Sequence, residues 1–276
     1  MAELRTPVWK LVWQQVRYQN TLFWRTPIAA FFTLVFPLIF LVLFELLFGG
    51  EATPGELSAA QFFAPSLAVF AVASATYTNI GIGVAISRDS GILKRVRGTP
   101  LPPWVYMAGR VGSAVWIAFL AVVIMLGIGV VAYDLQIRLP TLPAAGLTFL
   151  VGVAAFAALG LALAAFAPSG DSSPAIANAT LLPAAFISDV FIPLPEEGPQ
   201  WLEVLGDLLP LKHFVRAFQH PFNPFLPEAG AVQWVHLGVM ALWGVMGMAL
   251  ALRFFSWEPR QGERRRRRAA SQEAAS

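Results

Sequence analysis

The chain has 276 residues, 57% of them hydrophobic and only 13% charged. Soluble domains carry about a quarter charged residues, so this composition, with a mean hydropathy of +0.64, excludes an ordinary soluble fold and indicates an integral membrane protein. The lack of cysteine excludes disulfides, thiolate metal sites and a cysteine nucleophile, and the net charge of +3 matters through its placement.

Residues 1–26 predict an amphipathic helix. Thr6 is placed to cap it and Pro7 suits its first turn. Trp9, Val12, Trp13 and Val16 follow i, i+3, i+4, i+7 and share one face. Lys10, Gln14, Arg17 and Thr21 fall opposite. Tryptophan on the apolar side and cations on the wet side describe a helix lying in the cytoplasmic interface, either as a plain anchor or as an anchor that also touches a cytosolic partner. The first apolar run starts near Pro27, too late and too long for a secretory signal, so it reads as a retained span.

Six runs reach the roughly 20 residues that a crossing needs: 27–48, 62–86, 111–133, 144–167, 174–195 and 233–255. They are apolar throughout instead of alternating, which argues against a closed barrel. The fourth, with GVAAFAALGLALAAFA, has the small residues that allow close helix packing. The fifth, PAIANATLLPAAFISDVFIPLP, is the weakest, with Asn178, Asp189 and several prolines. The domain plan is an interfacial helix over 1–26, a six-span transmembrane domain over 27–255, and a basic tail over 256–276 expected to lack fixed structure.

Between spans two and three stands RDSGILKRVRGTPLPPWVYMAGR, residues 88–110. A short helix over 89–96 is predicted, capped by Asp89 or Ser90. Ile92, Leu93 and Val96 form an apolar knob, and Lys94, Arg95 and Arg97 form a basic rim. Gly98 and Pro100 end it. Such a surface suits docking to another protein, although a charged loop that only sets topology has the same composition. Between spans five and six, EEGPQWLEVLGDLLPLKHFVRAFQ predicts two short helices broken at Pro210, forming a re-entrant hairpin or an outer cap. The RRRRR tail anchors positive charge and attracts anionic lipid; no nucleic-acid-binding fold accompanies it.

Lys and Arg set the orientation. Arg5, Lys10, Arg17 and Arg25 precede the first span. Arg88, Lys94, Arg95, Arg97 and Arg110 separate spans two and three. Arg253, Arg260 and Arg264 to Arg268 follow the last. Only Arg138, Lys212 and Arg216 fall on the other face. Both termini are therefore predicted cytoplasmic.

Polar residues inside spans are candidates for a pathway: Glu45, Thr76, Tyr77, Thr78, Asn79, Asn178, Thr180 and Asp189. Hydrogen bonding between helices explains the same residues without transport. The histidines show no metal-ligand spacing, and neither a nucleophile elbow nor a paired-carboxylate arrangement appears, so an enzyme is poorly supported.

The 88–110 segment resembles the membrane subunit of ABC-2 type exporters, which carry a charged cluster, a Gly, a short helix and a TPL followed by an aromatic-containing helix. RYQNTLFWRTPIAAFFTLVFPLIFLVLF and LPLKHFVRAF resemble the same class at its first span and before its last. That class often has Glu at the position of Lys94 and Thr at that of Ile92.

The resemblance implies an all-helical fold with six spans and a coupling helix. It implies two subunits per pore, from a second copy or a sibling permease, and two cytosolic ATPase subunits that hold ATP and Mg. It makes Arg88, Asp89, Ile92, Leu93, Lys94, Arg95, Val96 and Arg97 the ATPase contact, with Trp9, Lys10, Trp13 and Arg17 on the interfacial helix beside it. It makes Thr76, Tyr77, Asn79, Asn178, Thr180 and Asp189 the substrate path. This chain has no phosphate loop, so no cofactor is expected on it. The function it implies is export of an amphiphilic cargo (drug-like, lipid or glycolipid) from the cytoplasm or inner leaflet across the plasma membrane. The alternative is a proton-coupled transporter without ATP, for which Glu45 and Asp189 are the candidate groups.

Overall fold

The computed structural model describes residues 7–50, 57–191, 199–226 and 230–258. All regular structure among them is helical. α1 is Val8–Trp24. Five helices are long and apolar enough to cross a membrane: α2 (Pro27–Phe48), α3 (Ala59–Asp89), α5 (Pro103–Tyr133), α6 (Leu139–Phe166) and α10 (Trp234–Phe254). The shorter helices are α4 (Ile92–Arg97), α7 (Ser173–Ile187), α8 (Gln200–Leu208) and α9 (Pro210–Gln219).

α3 and α6 form the centre. In their apolar windows 67% and 61% of residues are buried, against 22% in α2 and 28% in α10. α5, α2, α7 and α9 pack around α3, and α10 lies along α6. The Gly/Ala character of α6 has the predicted consequence. Ala155 and Leu159 lie against Gly244 and Gly247 of α10 closely enough that a methyl group on either glycine would be crowded. On the other side, Gly160 touches the backbone of α3, where a Cβ would lie 2.8 Å from the Tyr77 carbonyl oxygen.

The fifth predicted span is shorter than expected. α7 has 15 residues, a rise of about 22 Å against a hydrocarbon core of about 30 Å. It stops at Ile187 because Ser188 leaves helical geometry and Asp189 takes a left-handed φ of 58°, a conformation Asp tolerates better than most residues. Gly206 of α8 then abuts the Ile187 carbonyl. The two predicted short helices are present as α8 and α9, separated at Leu209, which is extended, with Pro210 opening α9.

α1 runs as predicted, but the cap assigned to Thr6 lies outside the described residues, as does most of the basic tail. Its packed face differs from the predicted apolar face. Gln19 and Phe23 are buried, and α1 rests on α5, while Trp9 and Trp13 stay 66% and 58% exposed. Arg110 of α5 donates to Gln19 at 2.6 Å. Its guanidinium reaches Gly83 of α3, where a Cβ would collide with Nη2.

Gly160→Ala is expected to lower the stability of the purified protein by about 1–3 kcal/mol, as overpacking does. Gly146→Ala, which meets nothing within 4 Å, is expected to be neutral or stabilising. Thermal unfolding of the two variants in one detergent checks the pair.

Candidate functional site

A cavity of about 450 Å³ lies between α2, α3 and α7. Its apolar wall includes Phe32, Phe36, Phe70, Ile82, Leu181 and Leu182, and its polar stripe is Thr33, Ser74, Thr78, Asn79 and Asn178. Two of its walls carry a local widening of the helix to i→i+5 geometry, at Phe31–Val35 in α2 and Ser74–Thr78 in α3. Such π-turns reset the helical register and cluster at functional sites. Here they fall at the level of the cavity.

Of the predicted path residues, Thr78, Asn79 and Asn178 line this cavity. Thr76 does not: it is fully buried, and its hydroxyl donates to the Val72 carbonyl. Tyr77 and Thr180 are bonded to each other at 2.6 Å and line a smaller cavity of about 200 Å³ with Trp243 and Pro210. Asp189 sits in the turn after α7, with 15% of its side chain exposed, 3.9 Å from the Arg216 guanidinium. It therefore joins elements outside the membrane-length helix instead of facing the cavity. Sequence reasoning left out Thr33, Ser74 and the phenylalanines. A signal was present: Phe70, Ser74, Thr78 and Ile82 recur every four residues, as do Pro174, Asn178 and Leu182, and such spacing marks one helix face.

The predicted partner-contact segment divides into an anchored part and a presented part. α4 starts later than predicted, and neither Asp89 nor Ser90 caps it. Its N-cap is Gly91, with φ of 75°, a backbone state that favours glycine. Arg88 and Asp89 belong to the end of α3. Arg88 has no exposed surface, and its guanidinium donates to the carbonyls of Ala164 and Ala167. Asp89 accepts from Arg88 and from the Gly170 amide. Leu93 is also fully buried, within a cluster containing Val84, Ala85 and Tyr106. Arg88, Asp89 and Leu93 are thus taken up inside the chain and leave the surface to others. Ile92 is 40% exposed, Val96 is half-buried, and Lys94, Arg95 and Arg97 are exposed.

The ABC-2 type transporter family model matches residues 9–222. The chain belongs to that family. It is 26% identical over 230 residues to the daunorubicin resistance ABC transporter permease protein DrrB1 of Streptomyces coeruleorubidus, covering 81% of this chain and 80% of that protein. It is 25% identical over 195 residues to the inner membrane transport permease YadH of Escherichia coli K12, covering 69% and 75%. The chain is thus a multi-pass membrane protein of the ABC-2 family, and the matched region includes the cavity, α4 and both helices that precede α10.

At the far end of the ABC-2 bundle from α4, a polar cluster joins α8, α9 and α10. Lys212 is buried and meets Asp207 at 3.0 Å. Arg216 meets the same carboxylate at 3.2 Å. His213 Nε2 faces the Asp207 carbonyl at 2.8 Å, and its Nδ1 faces His236 Nδ1 at 2.7 Å. The His213–His236 contact was not visible in sequence spacing, because the partners are 23 residues apart on different helices.

The Tyr77–Thr180 bond ties α3 to α7 beside the cavity. A double-mutant cycle of Tyr77→Phe and Thr180→Val is expected to give a coupling energy of about 0.6 kcal/mol, the usual size between membrane helices. Equilibrium unfolding of the four proteins measures it.

Proposed function

We propose that this chain is the transmembrane subunit of an ATP-driven exporter that moves an amphiphile out of the cytoplasm or inner leaflet. The observation that carries this reading is the combination of α4 and the cavity within one ABC-2 chain. α4 presents Ile92, Val96 and three cations outward on a rigid buried root, and the cavity offers an apolar body with a polar stripe. Two separate ATPase subunits would seat on that rim of α4 and hold ATP and Mg; the sequence carries no phosphate loop of its own. A second copy or a sibling permease would complete the pore.

The amphiphile is drug-like, lipid or glycolipid. The cavity wall favours such a molecule over an ion, because no ionisable side chain is among its lining residues and a charge without a partner is costly in an apolar site. The name of the daunorubicin resistance relative supports a drug-like cargo. The excess of Lys and Arg around α1, α4 and the tail supports a plasma membrane protein with both termini in the cytoplasm. Six crossings follow if α7 and the α8–α9 pair together serve as the fifth, with α8 and α9 re-entering from outside. The exposed tryptophans of α1, with Lys10 and Arg17, suit the cytoplasmic interface beside α4.

The test is purification of the tagged chain from its native membrane in mild detergent. A co-purifying ATPase is expected, retained by the wild type and lost in Ile92→Asp combined with Lys94→Glu, while the thermal stability of the chain is kept. Leu93→Asp is expected to fail differently, by unfolding, because it places a charge in a closed cluster. A chain that comes out alone and transports in response to a proton gradient would overturn the ATP-driven reading. Ala29→Trp, which fills the cavity wall, is expected to abolish transport in vesicles while ATPase binding persists.

A further inference from the structure

At the cytoplasmic end a buried charged unit joins α3 to the end of α6 and to the connection that leads into α7, and neither the family match nor the cavity explains it. The Arg88 guanidinium uses all of its nitrogens there. Nη1 donates to the Ala164 carbonyl at 2.8 Å, Nη2 to the Ala167 carbonyl at 3.0 Å, and Nε to Asp89 Oδ1 at 2.8 Å. The other Asp89 oxygen accepts from the Gly170 amide at 2.7 Å. Gly170 lies so close to α3 that a Cβ on it would stand 2.9 Å from Ile86 Cα. The connection continues into α7 without slack. Ser169 and Ser172 bond each other, and the Ser173 hydroxyl donates to the Gly170 carbonyl at 2.6 Å. On the other side, only Ser90 and Gly91 separate this unit from α4.

We infer that Arg88 and Asp89 are positioning residues: they clamp the end of α3 to the end of α6 and to the 167–172 connection that leads into α7, so that displacement of α4 reaches both cavity walls together. The inference rests on the reading of α4 as the ATPase seat. Its physical basis is that a buried guanidinium cannot release its acceptors one by one. Each lost bond leaves a charge or a carbonyl unmatched in a medium of low polarity. The joint therefore moves as one piece. α7 carries Pro174, Asn178, Leu181 and Leu182 to the cavity, so movement of its first turn reaches the cavity directly. An exposed loop at 167–172 would have absorbed the same displacement.

The experiment uses the full complex with its co-purified ATPase, in vesicles. Arg88→Gln and Asp89→Asn remove the charged bonds. Gly170→Ala pushes the loop off α3 by steric contact alone and keeps both charges, so it remains informative if a buried-charge variant folds poorly. All three are expected to assemble with the ATPase and hydrolyse ATP near the wild-type rate, while transport per ATP falls about tenfold or more, within the roughly 5–150-fold range of coupling between linked sites. Arg88→Lys, which keeps the charge but has a single nitrogen in place of the guanidinium's fork, is expected to lie between.

A second readout is independent of transport. The chain has no cysteine, so Ser90→Cys and Ala175→Cys place two spin labels on either side of the clamp. The native chain is expected to give one narrow separation with and without nucleotide, and Gly170→Ala a broadened one. Normal transport per ATP in all three variants, or a label separation unaffected by them, would overturn the clamp. Failure to find any ATPase would overturn the exporter reading instead, and the labels on the isolated chain would still decide whether the joint is rigid.

Discussion

A backbone amide or carbonyl inside a bilayer has no water to turn to, so every helix end that is buried needs a partner from its own chain. In this protein, buried polar side chains at the two ends of α3 meet much of that requirement. At one end Arg88 receives the last carbonyls of α6. At the other, Gln61 accepts from the Gln136 amide at 2.7 Å and donates to the Phe222 carbonyl at 2.6 Å. Between them runs the most buried of the apolar helices. α3 is thus pinned at both ends to connections that arrive from distant parts of the chain, and the other helices are arranged around it.

That pinning explains why the cavity sits where it does. The middle of α3, tied to α7 through Tyr77 and Thr180, carries the π-turn at Ser74–Thr78, which turns Ser74, Thr78 and Asn79 toward α2 and α7. α2 widens at the matching level. Gly160 brings the α6 backbone against the other side of the same turn. The site is therefore a gap between two irregular helices that is held open by the regular packing behind it. α7, too short to span by itself, closes the third side and is supported from beyond by Asp189, Arg216 and the α8–α9 pair.

The segment 88–110 shows how far residue type can be read without a structure. Its charge, its glycines and its prolines announced a short helix on a stiff support, and that helix is present. The assignment of individual side chains was less legible. Arg88 and Leu93 look in sequence like parts of the same surface as Lys94 and Ile92. Their burial depends on the connection at 167–170 and on Val84, Ala85 and Tyr106, residues that only folding brings near. Helical spacing likewise grouped Trp9 with Val16, although the bundle accepts the face marked by Gln19 and Phe23 and leaves the tryptophans outside.

The sequence by itself determined the class of the protein, the positions of its long apolar helices, the N-terminal helix, the two short helices before α10 and the existence of α4. These follow from composition and local periodicity, which act within a few turns of chain. Tertiary structure alone decided that Arg88 and Asp89 face inward, that Tyr77 pairs with Thr180, and that Thr78, Asn79 and Asn178 reach the main cavity while Thr76 and Asp189 do not. The pairings of Arg88, Asp89 and Tyr77 depend on partners dozens of residues away. In a chain this uniformly apolar, hydrophobic pattern marks which segments enter the membrane but cannot say which face meets lipid and which meets another helix.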